Sequence, residues 1–343
     1  MGFLFVAALF HLIVIGMIVT TGYLVFIFTK AVCSHQHVPA WMYKMGHALK
    51  GRGVDSLEDL TDTRALAEAY LFLCGFAVFN VVWYFVMLSR GHNVYKAAFL
   101  CLKQEFFICL VVMALHTILH FFVTLIRRYI NKSYQCHNYA STQAIVGMVF
   151  LSCFAHMLAL SFTGVPAKPY NISLAQSNIV IGTTHASELL QQGFIFENKQ
   201  PDDLISNQRT NHFYYEQSFK LTRKGISYGV INVTPQWSTT AKLKDCIITS
   251  YAISRNDSGF HEVYLENRQL SELTWQSIQG KRLVDIFNLT PADYREVQGE
   301  NYISLQLQTY PYVLWKRYLL EGTYTSTGEP DYFEIRTGYT VWE

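Results

Sequence analysis

Charged residues are scarce in this chain, because only 15% of its 343 residues are Asp, Glu, Lys or Arg. Soluble domains carry about 25% on average, and disordered chains combine low hydrophobicity with high net charge. The 51% hydrophobic content therefore excludes an intrinsically disordered protein. Eight prolines are too few for a Pro-rich or collagen-like chain. A formal net charge of +2 gives no basis for nucleic-acid binding, and we expect no such partner.

Sequence motifs of catalysis are also missing. The chain contains no Gly-rich phosphate loop, no G-x-S-x-G and no H-E-x-x-H. None of its seven cysteines forms a C-x-x-C pair, which argues against a thiol–disulfide relay. No motif therefore assigns a reaction, and we favour a non-enzymatic role without an expected cofactor.

The composition changes near the middle of the chain. Residues 1–165 contain 11 Lys or Arg and 6 Asp or Glu, whereas residues 166–343 contain 16 and 19. The change falls at the segment 164–169, where Pro166 and Pro169 disfavour a continuous helix. We therefore predict two domains with a boundary at 165/166.

Long apolar segments dominate the first half, and each is long enough for the roughly 20 residues that cross a bilayer. A soluble bundle would carry a polar face on each helix, and the first and third segments carry almost none. We predict four retained transmembrane helices at residues 3–29, 67–88, 106–126 and 143–163.

Basic residues in the short loops predict the orientation. Eight lie in the loops after the first and third spans, and three lie in the loop between the second and third. This asymmetry predicts a multi-pass plasma-membrane protein with cytoplasmic first and third loops. The N-terminus and the C-terminal domain then lie outside the cell.

The second half has the pattern of an α+β domain. A short strand at 178–182 leads into a helix at 183–192, with Thr183 as a candidate N-cap and Gly193 after the helix. Alternating segments at 212–221 and 226–233 predict a hairpin. A second helix-like segment at 280–289 and three extended segments follow. The expected fold is a helix packed on an antiparallel sheet, with two repeats as an open possibility.

The segment "NIVIGTTHASELLQQGF" and the later "LKDCIITSYAIS" resemble extracytoplasmic modules of Gram-positive lipoproteins and membrane-anchored proteins. The order of helix and strands over residues 176–340 is also similar to outer-membrane assembly lipoproteins and beta-lactamase inhibitor proteins. The resemblance implies binding or scaffolding, since these modules share no catalytic motif. The four spans resemble no family that we can name.

Histidines inside the spans are the least usual feature, because ionisable residues in a membrane are rare and often functional. His11, His116, His120 and His156 lie at depths that agree within roughly 10 Å at about 1.5 Å per residue. Such a cluster could hold haem b or a transition metal, or relay protons. Alternatively, each imidazole makes one interhelical hydrogen bond. Asn80 and Glu68 of the second span are possible partners in either case.

Aromatic residues are dense in the second half, and alternation along strands puts about half of them on each face of a sheet. One face would be core, and the other could be a recognition surface. Candidate partner-binding residues are Trp237, Trp315 and Tyr318. The favoured function is an accessory protein that lies in the lipid bilayer and binds a protein partner. The alternative is a membrane haem or metal oxidoreductase that uses the four histidines.

Overall fold

The computed structural model of the chain describes residues 2–50, 57–58, 63–130, 138–206, 217–236, 238–309 and 315–338. The chain divides into two compact units. Residues 5–161 form a helical unit, and residues 162–343 with the first four residues form a sheet unit. The predicted boundary at 165/166 lies four residues from this division.

Four long helices make up most of the described helical unit, and all four are long and apolar enough to cross a membrane. A shorter amphipathic helix, α2, lies between the first two. The helices are α1 (Gly2–Cys33), α2 (Ala40–Lys50), α3 (Thr63–Ser89), α4 (Val94–Ile130) and α5 (Ala140–Thr163), and the two-residue strands β1 (Leu57–Glu58) and β2 (Asn138–Tyr139) pair in parallel. The prediction of a four-span membrane protein is confirmed, and α4 begins twelve residues before the predicted span.

Helix α5 is the centre of the helical unit. In its most apolar window 39% of residues are buried, against 11% to 17% for the other three spans. It packs on α1 through Ala155 and Ala159, and on α3 and α4 through Val149 and Cys153. Apolar side chains point outward on the other helices, as with Leu12, which is 66% exposed. Such an exposed apolar surface is suited to lipid.

The sheet unit is built from short helices and antiparallel strands around one apolar core. Its helices are α6 (Ala186–Gln191), α7 (Trp275–Ile278) and α8 (Leu283–Ile286). Its strands are β3 (Asn171–Leu174), β4 (Ser177–Val180), β5 (Ile195–Phe196), β6 (Leu204–Ser206), β7 (Ser218–Arg223), β8 (Ile226–Thr234), β9 (Thr240–Lys242), β10 (Ile247–Ser254), β11 (Val263–Leu265), β12 (Arg268–Gln269), β13 (Tyr294–Gly299), β14 (Tyr302–Leu307), β15 (Arg317–Tyr324) and β16 (Pro330–Gly338).

Eight strands form the main sheet, in the order β13-β14-β15-β16-β10-β8-β7-β5. A second sheet has the order β12-β11-β3-β4, and β6 pairs with β9. Burial alternates along β14 and β15, so one face of the main sheet packs on the core and the other does not. The predicted helix and antiparallel sheet are confirmed, including the β7–β8 hairpin.

The main sheet consists of two similar halves. Helix α6 precedes β5, β7, β8 and β10, and helix α8 precedes β13 to β16. The last strand of each half lies at the centre, where β10 and β16 pair from Ser250↔Arg336 to Ser254↔Tyr332. This order is the one that two helix-plus-four-strand repeats would produce around a two-fold axis.

Local details differ from the sequence-based expectation at the start of α6. The N-cap is His185 instead of Thr183, because a capping box joins His185 and Glu188. The backbone N–H of His185 donates to Glu188 Oε1 over 2.8 Å. Thr184 instead accepts a hydrogen bond from the backbone of Val180, so the threonines close the preceding turn.

Candidate functional site

A histidine–glutamate contact joins α4 to α5 within the membrane-spanning part of the bundle. His156 Nδ1 lies 3.0 Å from Glu105 Oε2, and the two side chains are 22% and 23% exposed. A small cleft of about 170 Å³ opens beside the pair, with Thr21 of α1 and Ser152 in its lining. A carboxylate in an apolar bundle is costly without a partner, so this contact satisfies two groups at once.

A second pair joins α3 to α4. Glu68 Oε1 lies 3.5 Å from His116 Nε2, with exposed fractions of 16% and 19%. The His116 ring stacks near His120 at a centroid distance of 6.4 Å and meets the edge of Phe72. His116 and His120 therefore share one helix face, as their spacing predicts.

The four predicted histidines do not form one cluster. Glu105 and His116 are eleven residues apart on α4, which separates the two His–Glu pairs by about 16 Å along the helix. His11 lies three residues before Val14, which packs on Ala155 and Ala159 of α5. Similar depth therefore did not bring all four side chains together, because His116 and His120 share the face of α4 near α3, whereas His156 contacts Glu105.

Among the residues that the structure describes, no group of three or more His, Cys, Asp or Glu side chains has an arrangement that could hold a metal ion. The geometry instead gives each of His116 and His156 a carboxylate partner. The haem or metal alternative stays a prediction.

Glu105 was not predicted as a site residue, because it lies one residue before the predicted span at 106–126. The signal that could have found it is the helix register: Glu105, Cys109, Val112, His116 and His120 follow one stripe at spacings of three and four. An apolar window alone does not show where a helix begins.

A polar cluster occupies the face of the main sheet that does not contribute to the core. Tyr302 donates to Glu321 Oε1 over 2.7 Å, and Tyr332 donates to Glu334 Oε2 over 3.2 Å. Arg336 lies between the two carboxylates, with Nη2 2.8 Å from Glu321 and Nη1 3.4 Å from Glu334. We call these five residues the Tyr–Glu–Arg cluster.

Strand register explains why the arginine is needed in this cluster. Glu321 and Glu334 are directly opposite each other on β15 and β16, and like charges in such pairs are destabilising. Arg336, two residues along β16, contacts both carboxylates and offsets their repulsion.

The tyrosines of the cluster are held in their neutral form. Burial and the adjacent Glu334 carboxylate raise the pKa of Tyr332 to about 12. Burial and the hydrogen bond to Glu321 likewise raise the pKa of Tyr302. Both phenols therefore remain hydrogen-bond donors to a higher pH than a free tyrosine does.

The three predicted partner-binding residues have different positions. Trp315 is 37% exposed just before β15, so its ring is accessible. Tyr318 is 5% exposed and belongs to the core of the sheet unit, so its ring serves packing. Trp237 lies outside the described residues.

A wider cleft of about 680 Å³ lies between α7, α8 and β12. Its cationic side chains make internal contacts. Arg282 pairs with Asp285 at 2.8 Å, Arg268 donates to the carbonyl oxygen of Ile286, and Lys281 donates to that of Ser277. The Arg268 contact joins β12 to α8, whereas the other two contacts are local to the helices.

We expect the Glu105–His156 pair to stabilise the bundle through direct coupling. Glu105→Leu and His156→Leu should each lower the thermal unfolding midpoint of the full chain in detergent, because each leaves one polar group unpaired. The loss in the double variant should be about 0.6–2 kcal/mol smaller than the sum of the two single-variant losses in the free energy of unfolding. Asn80→Leu is the control, since Asn80 bonds within its own helix to Phe76. Strictly additive losses would contradict the coupling.

The raised tyrosine pKa values predict a loss of stability in alkali. A pKa of about 12 in the folded state, against about 10 when unfolded, gives Tyr332 a stabilising effect below pH 10. That effect disappears as the pH rises through the folded-state pKa. The thermal unfolding midpoint, measured between pH 9 and 12, should therefore fall less steeply with pH in Tyr332→Phe than in the wild type. Parallel curves would show that Tyr332 is not responsible.

No family model, curated protein or solved structure matches this chain.

Proposed function

We propose that this multi-pass membrane protein binds a protein partner outside the plasma membrane through the open face of its main sheet. The role is an accessory one in the cell envelope, without catalysis. The single observation that carries the proposal is the Tyr–Glu–Arg cluster, which presents two tyrosines and an arginine in fixed positions.

Residue types support a protein partner. Tyrosine and arginine are enriched among the residues that contribute most to protein–protein binding. In this cluster each of them is already held by a carboxylate, so little side-chain freedom is lost on binding. The accessible Trp315, just before β15, extends the same kind of surface.

The basic loops support an outside location for the sheet domain. The short loops after the first and third spans carry eight basic residues, against three in the loop between the second and third spans, which favours their cytoplasmic location. An even number of spans then returns the chain to the outside after α5, where the sheet domain begins. A partner would therefore come from the cell envelope.

Site-specific photo-crosslinking tests the binding face. A benzophenone amino acid at position 302 or 332 should form an adduct of defined mass with a partner in intact membranes. The matched control is position 264, because Tyr264 is a comparable aromatic residue, 39% exposed, on the second sheet. Arg336→Ala should weaken the adducts. Equal adducts at 264, or no adducts at 302 and 332, would refute the binding face.

Fusion reporters test the orientation independently of any partner. Alkaline phosphatase fused after Glu343 should be active, because the enzyme folds outside the cytoplasm, and a fluorescent protein that folds only in the cytosol should be dark there. A matched pair fused after Ser34, in the first loop, should give the reverse result. A fluorescent fusion at Glu343 would place the sheet domain in the cytoplasm.

A further inference from the structure

A cleft of about 360 Å³ lies between α3 and α4 in the helical unit. This volume is within the range of about 300–1,000 Å³ that is usual for ligand sites. Its lining residues fall into three chemical groups. Arg64 and Arg127 are cationic, Glu68, His116 and His120 are polar, and the rest is mainly aliphatic.

The cationic residues lie at one end of the bundle. Arg64 is the second residue of α3, and Arg127 lies in the last turn of α4. Since the two helices run antiparallel and share the cleft, both guanidinium groups belong to the same membrane boundary. This end is also the one that the basic loops assign to the cytoplasm.

Polar residues follow the arginines toward the interior of the bundle. Glu68 lies about 6 Å from Arg64 along α3, and His120 lies about 10 Å from Arg127 along α4, at about 1.5 Å per residue. Leu71 and Leu119 continue the cleft wall, and they are 64% and 60% exposed. Their exposed surfaces provide an apolar track beside the cleft.

The charge balance of the cleft is positive. Two guanidinium groups and one carboxylate line it, and that carboxylate lies 3.5 Å from His116. Guanidinium groups bind phosphate oxygens in a bidentate geometry. Basic pockets between transmembrane helices on the cytoplasmic side are suited to anionic headgroups.

We infer that this cleft is a binding site for an anionic phospholipid. The phosphate binds at Arg64 and Arg127, the glycerol-ester region lies at the depth of His120, and an acyl chain follows Leu71 and Leu119. The order of cation, hydrogen-bonding group and aliphatic surface matches the order of groups along such a lipid. The site is independent of the proposed partner-binding face, since it lies wholly within the helical unit.

Native mass spectrometry of the full chain tests the site, with phosphatidylglycerol and phosphatidylcholine added separately at equal concentration. Arg64→Gln and Arg127→Gln should each reduce retained phosphatidylglycerol about fivefold, the effect of one basic residue near an anionic headgroup. The matched control is Arg128→Gln, because Arg128 is the next residue of the same turn and does not line the cleft.

A size variant tests the cleft without changing charge. Ala67 lines the cleft, so Ala67→Trp should fill it and reduce phosphatidylglycerol retention while leaving the net charge unchanged. Thermal unfolding in lipid-free detergent checks that each variant is folded, and any variant that fails is replaced by Leu119→Trp. Retention of phosphatidylcholine equal to phosphatidylglycerol, or an equal loss in Arg128→Gln, overturns the inference.

Discussion

Two carboxylates inside an apolar helix bundle impose the constraint on which the helical unit depends. Neither Glu68 nor Glu105 can be left alone in lipid, and each has a histidine on a neighbouring helix. Both pairs involve α4, so this helix is joined to α3 on one side and to α5 on the other. Apolar packing brings the helices together, and the two pairs select which faces meet.

The sheet unit solves a related problem on its open face. Antiparallel pairing places Glu321 opposite Glu334, and a single arginine compensates both. The same ion pairs hold Tyr302 and Tyr332 in position, so the residues that relieve the repulsion also organise a surface. In both units, a partly buried glutamate contacts a side chain on a neighbouring helix or strand, and that contact joins the two elements.

Sequence reasoning identified the four spans because a long apolar segment can be recognised without knowledge of tertiary contacts. It also identified the helix and antiparallel sheet, since turn residues and alternation are local. It named Glu68 as a possible partner of the histidines, and Glu68 pairs with His116. It did not identify Glu105 as the partner of His156, because the predicted third span began at residue 106. Strand β13 was missed too: its core-facing side carries Glu296 and Gln298, which bond the backbone near α8 instead of showing an apolar pattern.

The central position of β16 has a consequence for how the domain is made. This strand follows every other strand of the main sheet in the chain, yet it lies between β15 and β10. During synthesis, one edge of β10 therefore stays unpaired until β16 has been made and has joined the sheet. An unpaired strand edge can pair with another chain, so the interval between synthesis of β10 and β16 leaves this central edge open to intermolecular pairing.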